Sequence, residues 1–183
     1  MPASSPAPVR RVCAATLQSL ALLTAAVLLV AVFARVPARA QTSSGIDRIL
    51  VLKSEHLLEL MHGHTAVKSY RVDLGRNPVG PKRRQGDDRT PEGTYTIDGR
   101  QISKYHLALH ISYPSAEDVA LARARRRDPG GSIFIHGFPR GFELADPTVF
   151  RKDWTAGCIA VSNEAIEEIW RLVADGTVVE IRP

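Results

Sequence analysis

Asp153-Trp154-Thr155-Ala156-Gly157-Cys158-Ile159-Ala160-Val161 is the stretch on which the reading of this chain turns. His136-Gly137 stands twenty-two residues upstream of Cys158. The 183 residues contain two cysteines, and Cys13 lies in an N-terminal segment expected to be removed on export. Cys158 is then the one thiol of the mature part, with no partner for an internal disulfide. Such a thiol is either a small buried hydrophobe or a working nucleophile. The glycine beside it and the His-Gly before it favour the nucleophile.

A cysteine nucleophile needs its proton removed and its thiolate stabilised. A histidine supplies the base, and a second group must hold that imidazole in one tautomer. Attack on a carbonyl also requires donors for the oxyanion, usually backbone N–H groups. Gly157 lets the backbone approach a substrate closely, and Gly137 permits a turn that aims the His136 ring off a strand end.

The first forty residues carry Arg10, Arg11, Arg35 and Arg39 and no acid. Twenty-three uncharged residues, 12–34, separate the two arginine pairs, and they are most apolar over 20–33. Ala38-Arg39-Ala40 offers small residues where a signal peptidase reads, so residues 1–40 are expected to be an export leader into the periplasm. The alternative is an uncleaved inner-membrane anchor over 12–34, since a span needs about 20 residues. Cys13 precedes the apolar core, which excludes a lipoprotein. Four of the chain's five net positive charges belong to this leader. The high pI therefore does not imply a nucleic-acid partner.

Residues 41–45 read as a linker, and the remainder suits one domain with its own core, 46–183. Ile49 and Val51 alternate with Leu50 and Leu52, which predicts a strand ended by the turn Ser54-Glu55-His56. Further strands are expected at 57–61, 66–73, 94–97, 105–111, 132–135 and 177–181. Between them, 75–93 is polar and rich in Gly and Pro, too long for a plain connection and so a functional loop. Ser115 caps an expected helix with Asp118 in the reciprocal position, and Arg123, Arg125, Arg126 and Arg127 fall in its last turns. A second helix is expected from 164 to 173, capped by Ser162 or Asn163 and burying Ile166, Ile169, Trp170 and Val173. Many strands with two separate short helices give a mainly β (α+β) class and exclude alternating βαβ units.

Three motifs occur in order: Gly86-Asp87-Asp88-Arg89-Thr90-Pro91-Glu92-Gly93-Thr94-Tyr95, Ile133-Phe134-Ile135-His136-Gly137, and Thr155-Ala156-Gly157-Cys158-Ile159. Together they resemble the L,D-transpeptidase catalytic domain (the YkuD-type fold) across 46–183. The resemblance implies a β-sandwich-like domain whose Cys box and His-Gly pair meet in one cleft. It implies Cys158 as nucleophile and His136 as general base. Backbone N–H groups near Gly157 and Cys158 would form the oxyanion hole, and the Gly137 carbonyl would orient the imidazole. The implied substrate is the stem peptide of bacterial peptidoglycan. The thiolate attacks the carbonyl of its third residue, a diamino acid, and expels the terminal D-alanine. An amine on a neighbouring stem or on a lipoprotein then resolves the acyl-enzyme.

Two positions depart from the family pattern. Ala156 stands where relatives carry His or a similar polar residue, and Ala160 stands where they carry Arg, which removes a fixed cation and fork donor. The form of the Cys box resembles the YafK-like branch. There, hydrolysis of a wall cross-link or of a lipoprotein–wall bond by the same pair is the alternative to bond formation. A non-catalytic wall-binding module is the further alternative.

Around this pair, Trp154 is a substrate platform or a core anchor, Thr155 supports the Cys loop, and His110 is a candidate for the cleft wall. Arg89 and Lys82 are candidates for gripping a carboxylate. No metal or organic cofactor is expected. His106 and His110 lie roughly 13 Å apart on a strand at about 3.3 Å per residue, too far to share an ion. His62 and His64 lack a third ligand, and closed sites need about three or four.

Overall fold

The computed structural model describes residues 45–139 and 153–183. The expectations placed on 1–44, the leader or anchor and most of the linker, lie outside the described residues. The elements are β1 (Arg48–Leu52), β2 (Leu57–His62), β3 (Thr65–Arg71), β4 (Gly93–Ser103), β5 (His106–Ile111), α1 (Ala116–Ala124), β6 (Phe134–His136), β7 (Ile159–Ala160), α2 (Asn163–Leu172) and β8 (Val178–Arg182). The strands join in the order β3-β2-β1-β8-β4-β5-β6-β7. Among the described residues, no helix is long and apolar enough to cross a membrane.

β4 is what bends this sheet. Gly93 to Thr96 pair with β8, whereas Ile97 to Ser103 pair with β5, and the register slips between Ile97 and Gly99. A bulge at that point kinks the strand and turns the second half of the sheet away from the first. The far edges then meet. Past β3, Asp73 bridges Ala160 of β7, its N–H donating to the Ala160 carbonyl at 2.9 Å and its own carbonyl accepting at 2.8 Å. One apolar cluster fills the space so enclosed, drawing Ile49, Leu60 and Ile97 from one half and Leu109, Ile135 and Ile159 from the other. Each such side chain contributes about 1.5–3 kcal/mol by leaving water.

Several elements depart in extent from the sequence expectation. The strand expected over 94–97 runs on to Ser103 through Asp98, Gly99 and Arg100. Arg100 is tolerated there because its guanidinium donates to the Trp170 carbonyl at 2.9 Å and to the Val173 carbonyl. Those are orphan acceptors at the C-terminal end of α2, so a charged strand residue completes a helix end. α1 carries the expected capping box between Ser115 and Asp118. It stops at Ala124, however, so Arg125 is the cap and Arg126 and Arg127 lie beyond the helix. α2 is capped by Ser162, whose Oγ accepts the Ala165 N–H at 3.1 Å, and it buries Ala165, Ile166 and Ile169. The two-residue β7 has no signal of its own, since its partner comes from β6.

Candidate active site

The turn from Thr155 to Cys158 is closed by one hydroxyl. Thr155 Oγ1 accepts the Gly157 N–H at 3.0 Å and donates to the Cys158 carbonyl at 2.7 Å. Thr155 is thus a support of the Cys turn. Gly157 sits at φ +133°, and a Cβ there would lie 2.6 Å from the Arg89 carbonyl, so only glycine fits. Backbone bonds from Thr155 N–H to the Leu74 carbonyl (3.1 Å) and from Arg76 N–H to the Thr155 carbonyl (2.9 Å) tie the turn to the segment after β3. Arg89 meets the site through its carbonyl, while its guanidinium rests against Gly80.

β6 and β7 are parallel, with His136 opposite Ala160. Cys158 lies two residues before Ala160 and shares its face, which is the face His136 projects from. Both line one cavity of about 270 Å³. His136 is only 3 % exposed. Its Nδ1 lies 2.6 Å from the Gly137 carbonyl oxygen. A carbonyl only accepts, so Nδ1 holds the proton and Nε2 is the basic nitrogen. The ring stacks on Tyr105 at 4.6 Å and meets Trp154 edge-on at 5.7 Å. Gly137 has no room for a side chain, because a Cβ would fall 2.5 Å from Asn163 Oδ1. That oxygen accepts the Phe138 N–H at 2.8 Å and docks the start of α2 onto the site.

Burial pushes the His136 pKa down, opposed by the Gly137 hydrogen bond. Burial likewise pushes the half-buried Cys158 thiol up, opposed by the Phe134 amide and the charge of Lys82. The thiol lies 3.7 Å from the Ser132 carbonyl. Burial thus disfavours both charged forms of the pair, the thiolate and the imidazolium.

Trp154 serves as an anchor of the site's inner wall. Its ring stands between His136 and Phe138, stacked on the latter at 5.8 Å, and its Nε1–H donates to Asp73 Oδ2 at 2.9 Å. Asp73 is wholly buried, and its Oδ1 has no hydrogen-bond partner. Burial lifts this carboxyl to about 6, against the Trp154 hydrogen bond. Sequence reasoning passed over Asp73 and Tyr105. The one mark on Asp73 is its place at the end of the expected strand 66–73.

A second cavity, about 320 Å³, shares Cys158 and Ser132 with the first and is otherwise lined by Lys82, Gly86, Gly130 and the exposed Ala156. His110 lines neither cavity; it pairs with Asp98 and meets Phe134 edge-on at 4.8 Å. His106 pairs with Glu167 at 2.8 Å, and His62 with the Gly45 carbonyl at 2.5 Å. Among the described residues, no group of three His, Cys, Asp or Glu side chains is placed to hold a metal ion.

His136, a buried imidazole with one fixed proton at the end of β6, and Cys158, on a glycine turn just before β7, thus line one cavity. The family model of the L,D-transpeptidase catalytic domain, YkuD, matches residues 46–181, and the chain belongs to this family. YafK of Escherichia coli (strain K12) is 30 % identical over 137 residues, covering 71 % of this chain and 48 % of that protein. The chain thus spans about half the length of the curated relatives it matches. Among solved structures, the helical cell shape determining protein Pgp2 from Campylobacter jejuni superposes with a TM-score of 0.59 at 24 % identity, over 75 % of this chain and 47 % of that one. The L,D-transpeptidase from Xylanimonas cellulosilytica gives 0.52 at 18 % identity, over 90 % and 69 %. These two likenesses concern the fold.

Proposed function

We propose that this chain is an exported cysteine enzyme that acts on peptidoglycan stem peptides through an acyl-enzyme on Cys158. The observation that carries the reading is His136: its Nδ1 is held by the Gly137 carbonyl while it shares a cavity with Cys158. Nε2 takes the thiol proton as sulfur attacks the carbonyl of the third stem residue, and returns it to the departing amine of the terminal D-residue. Because burial works against a free thiolate, that transfer belongs to the attack itself in our reading. The Gly157 N–H is committed to Thr155 Oγ1, so the Cys158 amide is the oxyanion donor of this turn in our reading. The acyl-enzyme passes to an amine of a neighbouring stem, which makes the enzyme a transpeptidase, or of a wall-linked lipoprotein. Resolution by water would make it a hydrolase with the same pair.

The test is mass spectrometry of muropeptides after incubating the protein with purified sacculi, alongside Cys158→Ala. New links between diamino acids, or exchange of the terminal residue, are expected with the unaltered protein alone. Loss of existing links would assign the acyl-enzyme to water. Muropeptides identical to the Cys158→Ala control would leave a wall-binding module.

A further inference from the structure

Cys158 and Ser132 line both cavities, whereas His136 lines one and Lys82 the other. That division has a chemical meaning. The departing amine takes a proton from His136 and the incoming amine or water gives one up to it, so both pass through the His136 cavity. The acyl residue must then extend from sulfur into the other cavity that Cys158 lines. Among the described residues, Lys82 is the one charged side chain lining that cavity. It is only 5 % exposed, and its Nζ donates to Asp87 Oδ1 at 2.9 Å and to the Arg84 carbonyl at 3.2 Å. An ammonium has three N–H donors, so one is left. Asp87 does not spend its charge on Lys82 alone, since it also accepts the amides of Arg83 at 2.6 Å, Arg84 at 3.0 Å and Arg89 at 3.2 Å. The familiar arginine is replaced by Ala160, which is buried in its bridge to Asp73.

We infer that Lys82 anchors a carboxylate on the acyl side of the substrate, so that the enzyme selects donors whose third residue carries a free side-chain carboxylate. This rests on the proposed function. A stem peptide offers a second carboxylate near the scissile bond, the terminus of the leaving residue. That one belongs in the His136 cavity, where Lys104 is the charged side chain.

The experiment compares three synthetic tetrapeptide donors by release of the terminal residue. One has a third residue with a free side-chain carboxylate, one has that group as carboxamide, and one keeps it free but has a carboxamide terminus. The enzyme is expected to lose on the order of 10- to 100-fold in kcat/KM on the side-chain carboxamide, the worth of one charge-assisted hydrogen bond. Lys82→Gln should treat the free and carboxamide side chains alike, and Lys82→Arg should restore part of the difference. Each ratio is taken within one variant, so a partly unfolded preparation does not alter it. Discrimination that survives in Lys82→Gln overturns the inference, as does a variant that loses discrimination only toward the terminal carboxamide. An unaltered enzyme that treats both side chains alike removes the anchor and leaves the proposed function standing. One that releases no residue from any donor removes both.

Discussion

Cys158 stands between two walls built by different means. On one side His136, Tyr105 and Trp154 come from three distant parts of the chain and are held by ring contacts on a bent sheet. On the other, Lys82, Arg84 and Asp87 are close in sequence and are held by an ion pair and amide hydrogen bonds inside one loop. That loop is pinned from within by Lys53, 3 % exposed, whose Nζ donates to the Gly80 carbonyl (2.8 Å), the Thr90 carbonyl (3.1 Å) and Glu92 Oε1 (2.7 Å). The aromatic wall depends mainly on packing, with one buried carboxyl, Asp73, bonded to Trp154. The loop wall depends on two buried lysines remaining charged, and for Lys53 burial already works against that, with Glu92 opposing it.

The hardest way to break this picture is at the sulfur between the walls. Cys158→Ala is expected to reduce turnover to background with the cooperative unfolding transition intact. His136→Ala should cost about a hundred- to ten-thousandfold in kcat. Alkylation sharpens the point. Since burial raises the thiol, modification of Cys158 by iodoacetamide should climb with pH beyond the range of a free thiol. A plateau already present at acidic pH would mean a thiolate–imidazolium pair and would overturn the upward push of burial on the thiol.

The loop wall should break at Lys53. Lys53→Met leaves Glu92 without its partner at 17 % side-chain exposure and frees two carbonyls. Breaking a buried pair from one side costs about 3–5 kcal/mol. Limited proteolysis should then cut within 75–92 first, while His136 and Trp154 keep their environment by fluorescence and NMR. Equal loosening of both walls would show that they are one cooperative unit and not two.

Asp73 carries the electrostatics of the aromatic wall. Its folded-state pKa, about 6, is above the ordinary 3.8, so the folded protein holds this proton more tightly than the unfolded chain. The sign follows: its contribution is greatest below about pH 4 and is lost as pH rises through 6. At 1.36 kcal/mol per unit the loss approaches about 3 kcal/mol. Asp153 beside it adds to the rise and His56 opposes it, and those two are themselves paired at 3.0 Å. Denaturant midpoints at pH 4.5 and pH 7 should differ in this sense, and Asp73→Asn should flatten the difference.

What could be read from the sequence follows the same division. The Gly157-Cys158 turn, the His136-Gly137 pair and the Ser115–Asp118 capping box are local and carry their own signals. The loop over 75–93 announces itself by composition, and Lys82 within it could be named as a carboxylate candidate. The partnership of Asp73 with Trp154 is different, because it arises when the sheet closes and Asp73 meets β7. No spacing rule reaches across eighty residues and a bulge. Tyr105 was hidden for a related reason: it lies in the turn before β5 and gains its role only when β6 lays His136 against it. His110 shows the converse. It is a cleft-wall candidate in the sequence, yet it pairs with Asp98 across the bulged strands and lines neither cavity.

The finest test of the two-wall comparison is Trp154→Phe. The ring's apolar body is kept, so contacts with His136 and Phe138 survive in large part, but the Nε1–H that Asp73 Oδ2 accepts is lost. One hydrogen bond of this kind is worth about 1–2 kcal/mol. Because it also opposes the rise of Asp73, its removal should shift the pH window of stability loss upward from about 6. The loop wall shares no bond with that indole nitrogen, so protease sensitivity of 75–92 should stay as it was. A variant that loses stability equally at every pH would separate Trp154 from Asp73 and assign its worth to packing alone.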